Sequence, residues 1–287
     1  MTEYAASSHK GHIRAHNEDC YEADAELGLW LVADGVGGHA HGEVAARIVR
    51  DTVKAELLAG NQLVDAVRRA HQAVLDEIAA RDSQSNMGST VVAMRLRDDN
   101  TYEISWVGDS RAYLFDGELR KLTRDHNPVS ELLERGEITP EQAASHPERH
   151  VLSQSMGVSG SIVVQPGLIS GRLHTGQQIL LCSDGLTDEL DDDTIRAELA
   201  CHATPRAQID ALVNAALRAG GRDNITAIVV GETLVLPSGG LRSVDELETT
   251  QNAGKMVTSG DVPRENHGAK IWMILGVIGL VTLWLWW

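Results

Sequence analysis

Three short apolar runs in this chain each end in an acid followed by a turn residue: Trp30-Leu-Val-Ala-Asp34-Gly35, Trp106-Val-Gly-Asp109-Ser110 and Leu180-Leu-Cys-Ser-Asp184-Gly185. Apolar runs of this length, closed by turn chemistry, read as buried strands. A fourth acid, Asp223, stands in Arg222-Asp-Asn-Ile-Thr226 just before another apolar run, and Glu18-Asp19 follow Asn17 near the start. If the sheets pack face to face, strand ends converge at one rim and several carboxylates meet there. Like charges so close repel strongly unless a cation lies among them. Carboxylate and carbonyl oxygens suit hard divalent ions such as Mg²⁺ or Mn²⁺. Asp-Gly is also a very common turn dipeptide, so each acid taken alone reads as a turn before it reads as a ligand.

The remaining pattern sets the fold class. Glu43 to Leu58 carries apolar residues at 45, 49, 53 and 57, and Leu63 to Ile78 repeats the stagger, which predicts a pair of helices. Strands are expected over Gly28 to Ala33, Ser89 to Leu96, Tyr102 to Val107, Arg111 to Phe115, Gln177 to Ser183 and Ile225 to Val230. A further helix is expected around Ile209 to Leu217. Consecutive hairpin-like strands separated by a helix pair predict an α+β fold: two packed antiparallel β-sheets, a β-sandwich, flanked by α-helices.

Beyond this body the chain changes character. Residues 233–270 are rich in Gly, Ser, Thr, Asn and Pro and read as a flexible linker, with a reach of about 30–40 Å. Residues 271–287 contain no charge, carry tryptophan at both ends and would span roughly 25 Å as a helix, enough for a thin bilayer. A C-terminal transmembrane anchor is expected there, with a buried or surface-lying helix as the alternatives. Lys255, Arg264 and Lys270 precede it, which places the body, residues 1–232, on the cytoplasmic side of the membrane. Met1 to Asp19 has His, Ser and charge where a secretory leader has an apolar core. Lys plus Arg number 25 against 41 Asp plus Glu, a formal charge of −16, so nucleic acid is not an expected partner. Cys20, Cys182 and Cys201 are odd in number and lack C-x-x-C spacing, which argues against a disulfide framework or a cysteine zinc site and suits a reducing compartment.

Six segments in order carry a family likeness: Gly11-x-x-Arg14-x-x-Asn17-Glu18-Asp19, Ala33-Asp-Gly-Val-Gly-Gly-His39-x-x-Gly-Glu43, Gly88-Ser-Thr90, Val107-Gly-Asp-Ser-Arg111, Ser183-Asp-Gly185 and Arg222-Asp-Asn-Ile-Thr226. With these the chain resembles the bacterial branch of the metal-dependent PPM (PP2C-type) protein serine/threonine phosphatases, whose fold is layered α-β-β-α. The resemblance implies that Asp34 bridges two Mn²⁺ or Mg²⁺ ions, that Gly35 offers its carbonyl to one, and that Asp184 and Asp223 bind the other. It implies that Glu18 and Asp19 hold metal-bound water, that Asp109 with Asp184 forms a weaker third metal site, and that Arg14 grips the phosphate. The expected reaction is attack of a metal-bridging hydroxide on phosphoserine or phosphothreonine. Val36 stands where eukaryotic members carry a histidine; His39 is the candidate acid for the leaving group, with metal-bound water as the alternative. Thr123 to Leu152 looks like the family's flap beside the metal site. Expected partners are phosphorylated proteins, among them a membrane Ser/Thr kinase and its substrates.

Other motifs carry less. Gly35 to Gly38 lacks the Lys-Ser/Thr of a P-loop, the histidines at 9, 12, 16, 39 and 41 lack zinc spacing, and Ser110 lacks the nucleophile-elbow glycines. The rival readings are a catalytically silent PPM-like module that binds phosphoproteins, and a phosphatase acting on a small molecule.

Overall fold

The computed structural model describes residues 2–37, 41–81, 87–157 and 163–232. In chain order the first half comprises β1 (Tyr4–His9), β2 (Cys20–Asp24), β3 (Leu29–Ala33), β4 (Gly35–Val36), α1 (His41–Leu58), α2 (Leu63–Arg81), β5 (Gly88–Ser89), β6 (Val91–Leu96) and β7 (Thr101–Val107). The second half comprises β8 (Arg111–Phe115), β9 (Leu119–Lys121), α3 (Pro128–Glu134), α4 (Pro140–Ala144), β10 (Gly167–Arg172), β11 (Gln178–Cys182), α5 (Asp184–Thr187), α6 (Asp192–Cys201), α7 (Pro205–Ala219) and β12 (Ile225–Val230). The strands form two five-stranded antiparallel sheets, ordered β1-β12-β11-β8-β9 and β10-β7-β6-β3-β2, plus the short β4-β5 ribbon. The expected sandwich is therefore present.

Three apolar layers explain why the central strands are continuous apolar runs and not alternating ones. On β3, Leu29, Leu31 and Ala33 face α1 and α2, while Trp30 and Val32 face the other sheet. On β12, Ile225, Ala227 and Val229 face α6 and α7, while Ile228 and Val230 face the sandwich interior. Both faces of each strand are covered, so every residue of β3 and β12 is buried. Burial of a large aliphatic side chain contributes about 1.5–3 kcal/mol, which makes these inner strands the stable frame for the loops they emit.

The strand expected over Ser89 to Leu96 is interrupted at Thr90. Its N–H bonds the carbonyl of Asp34 at 2.8 Å, leaving the ladder to hold the end of β3. Strands β1, β2, β9 and β10 are not evident from periodicity. All are edge strands, half solvated, and β10 carries two glycines, Gly167 and Gly171. Within the expected flap, Asn127 caps α3 by accepting from Ser130 N–H at 2.7 Å. Thr139 and Gln142 form a reciprocal cap on α4.

The expected linker and anchor lie outside the described residues. Among the described residues no helix is long and apolar enough to cross a membrane.

Candidate active site

Antiparallel pairing delivers the acids to one rim. Ala33 pairs with Cys20, so Asp34 and Asp19 leave the sheet side by side. In the other sheet Cys182 pairs with Ala227, so Asp184 and Asp223 leave adjacent strands at the same end. A cavity of about 180 Å³ there is lined by Arg14, Glu18, Asp34, Gly35, Asp184 and Asp223, together with Val36, Gly37 and Asn224. Asp19 is buried behind it, its Oδ2 accepting from Ser183 Oγ at 2.8 Å. Asp109 is buried beside Asp184 and lines a neighbouring cavity with it. Of the residues expected at the site, only His39 lies outside the described residues.

The electrostatics are those of crowded acids. Burial and then the charges of Asp19, Asp184 and Asp109 push the Asp34 carboxyl well above the usual range. Burial, followed by Asp184 and Asp125, raises Asp109 to about 8. Asp19 rises to about 7, chiefly through burial, although hydroxyls of Thr226 and Ser183 oppose the shift. Asp184 rises to about 6 through burial, Asp188 and Asp223. Two carboxylate oxygens, Asp19 Oδ1 and Asp184 Oδ1, are buried without a hydrogen-bond partner. A natural protein rarely leaves such oxygens orphaned, and they fit a hard divalent cation or its water. Among the described residues, no three His, Cys, Asp or Glu side chains form a closed ligand set.

The loops are held by groups that the strand pattern does not reveal. Thr90 Oγ1 accepts from Asp34 N–H at 3.2 Å and shares a 2.7 Å hydrogen bond with Ser110 Oγ, while Ser89 Oγ donates to the Asp34 carbonyl at 2.9 Å. A side chain at Gly35 would place Cβ 2.2 Å from the Gly42 carbonyl oxygen and 2.7 Å from that of Glu18. Only glycine lets these three backbones meet. Arg14 donates to Asp223 Oδ2, and Asp223, Asp34 and Glu18 hold its pKa up against the cost of burial.

Asn224 ties the first loop to the site. Its Nδ2 donates to the carbonyls of Lys10 and His16 at 2.9 and 3.0 Å, and its Oδ1 accepts from Glu18 N–H at 2.7 Å. Asn224→Ala leaves all three backbone groups unpaired, so a loss of about 2–4 kcal/mol in urea-unfolding stability is expected. Hydrolysis of phosphate esters should fall at least about tenfold, because Arg14 and Glu18 lose their anchor. Asn224 and Ser183 each stand beside an acid at the end of an apolar run, whereas Thr90 has no acid beside it; in none of the three does the sequence show which loop it will hold.

Comparison with known proteins agrees with this geometry. A family model described as protein phosphatase 2C matches residues 9–219. The serine/threonine protein phosphatase PstP of Mycobacterium tuberculosis is 37% identical over 265 residues, covering 87% of this chain. This chain spans about half, 50%, of that relative's length. The serine/threonine phosphatase stp of Listeria monocytogenes is 35% identical over 239 residues, 78% of this chain and 94% of the relative. Among solved structures, the catalytic domain of PstP in complex with 2 manganese ions superposes with a TM-score of 0.70 at 35% identity, covering 80% of this chain and 97% of that one. The α-β-β-α sandwich, the acids that meet at its rim and the family-model match over residues 9–219 place this chain in the protein phosphatase 2C family.

Proposed function

We propose that this protein is a membrane-tethered, Mn²⁺- or Mg²⁺-dependent phosphatase that removes phosphate from Ser and Thr side chains of proteins. The observation that carries the reading is the cavity uniting Arg14 with Asp34, Asp184 and Asp223. Family membership and the manganese in the PstP catalytic domain support it. Asp34, the Gly35 carbonyl, Asp184 and Asp223 would hold two ions. Asp109 with Asp184 would hold a weaker third, while Glu18 and Asp19 act through water. When bound, the ions supply Lewis-acid charge and activate water at neutral pH.

The chain's own groups do the rest. Arg14 presents a planar guanidinium to the phosphoryl oxygens and offsets the charge that develops on them. Thr90, Ser89 and Ser110 fix the Asp34 backbone, and Ser183 orients Asp19. His39 remains the candidate proton donor to the leaving alkoxide. Release of phosphate from a phosphothreonine peptide with Mn²⁺, and none with EDTA, is the expected result. Tight binding of the peptide without release would instead establish the silent, phosphoprotein-binding reading.

The tether rests on the uncharged segment 271–287, and the substrates it implies are phosphoproteins at the cytoplasmic membrane face, a Ser/Thr kinase and its targets included. Confinement raises their effective concentration within the linker's reach. Deleting 271–287 is expected to move the protein to the soluble fraction with peptide turnover unchanged. A truncated protein that still sediments with membranes contradicts the anchor.

A further inference from the structure

A second cavity, about 250 Å³, lies under α3 and α4 and shares Asp184 with the acid cavity. Part of its wall is apolar: Val129, Leu133 and Pro140. Arg111 and Lys121 are already engaged, both binding the Asp125 carboxylate at 2.8 Å. Asp188 Oδ2 lies 3.4 Å from His150 Nδ1. Arg149 is exposed, and among the described residues its guanidinium has no hydrogen bond or ion pair, although Asp188 feels its charge at longer range. Its carbonyl, by contrast, is pinned, accepting from Asn127 Nδ2 at 3.0 Å. A fixed backbone therefore presents a free guanidinium on the wall of a half-apolar cavity that shares Asp184 with the acid cavity.

We propose that this cavity is a subsite for an anionic side chain flanking the phosphorylated residue of the substrate, with Arg149 as its reader and the apolar wall receiving the aliphatic stem. The proposal rests on the phosphatase reading above and adds a substrate class to it: phosphoproteins acidic, or phosphorylated a second time, beside the target residue.

The test uses the full chain with Mn²⁺ and phosphothreonine peptides that differ at one flanking position at a time, carrying Glu, Gln, Lys or a second phosphothreonine. At one flanking position kcat/KM is expected to favour Glu over Gln by about fivefold, with Lys worse still, the effect of a single solvent-accessible charge pair. A larger preference for the second phosphothreonine assigns the subsite to phosphate; a larger preference for Glu assigns it to carboxylate. Arg149→Gln should erase the preference and Arg149→Glu should turn it toward Lys. Both variants should hydrolyse p-nitrophenyl phosphate, which has no flank, at the wild-type rate. Added salt should shrink the preference in the wild type. Release from every peptide with no flank preference, or a preference that survives in both variants, overturns the subsite alone. So does an equal loss on peptides and on p-nitrophenyl phosphate. No release from any peptide overturns the phosphatase reading, and the subsite with it.

Discussion

Asp34→Asn is expected to lower Mn²⁺-dependent hydrolysis of p-nitrophenyl phosphate by at least about a thousandfold, while raising the melting temperature of the protein held in EDTA. The two effects have one origin. Asp34 is buried against the charges of Asp19, Asp184 and Asp109, and the Arg14 guanidinium opposes them only in part. Asparagine keeps the shape and the backbone bonds to Thr90 and Ser89 but removes one of the repelling charges. Relief of about 1 kcal/mol would raise the melting temperature by about 2–4 °C in a domain of this size. The same substitution removes the carboxylate proposed to bridge the ions, and a metal clamp on a phosphoryl centre contributes several kcal/mol to the rate. An acid whose role is structural would behave oppositely, since its loss lowers stability and activity together. Turnover undiminished in Asp34→Asn contradicts the metal assignment.

Stability in EDTA should fall as pH rises from about 4 to about 8, and saturating Mn²⁺ should remove that slope. Asp184, Asp19 and Asp109 hold protons in the folded chain up to about 6, 7 and 8, against an ordinary value of 3.8. Between these limits the native state binds more protons than the unfolded chain, so unfolding releases protons and rising pH favours it. The stabilising contribution is complete below about 4 and lost above about 8. Divalent ions bind the deprotonated carboxylates, so their effect must grow over the same interval. Thermal melts at pH 5 and pH 8, each with EDTA and with Mn²⁺, check this directly. The Mn²⁺-induced rise should be several degrees larger at pH 8. An equal rise at both values would mean that the ions bind elsewhere.

The inner strands were legible because both of their faces are buried and nearly every position is apolar; β8 and β12 span the residues expected of them. Helices α1, α2 and α7 were legible for the related reason that each buries one stripe. Edge strands were not. Tyr4–His9 reads as polar because its outer edge meets solvent, and only its pairing with β12 makes it a strand. Asp34, Asp109 and Asp184 could be named from the sequence because each ends an apolar run at a turn. Their convergence needed the register, which brings Ala33 beside Cys20 and Cys182 beside Ala227. Thr90 and Asn224 carry their meaning only in three dimensions. Both satisfy backbone groups of loops far away in the chain, and no local pattern records which loop will be there.

Crystals of the protein grown with Mn²⁺ and measured at the manganese absorption edge would locate the ions without reference to activity. A pair of anomalous peaks is predicted in the cavity beneath Arg14, with Asp34 between them, Asp184 and Asp223 around one and the Gly35 carbonyl on the other. Peaks confined to other surfaces, with Asp34 hydrogen-bonded only to protein groups, would contradict the proposed chemistry at its root.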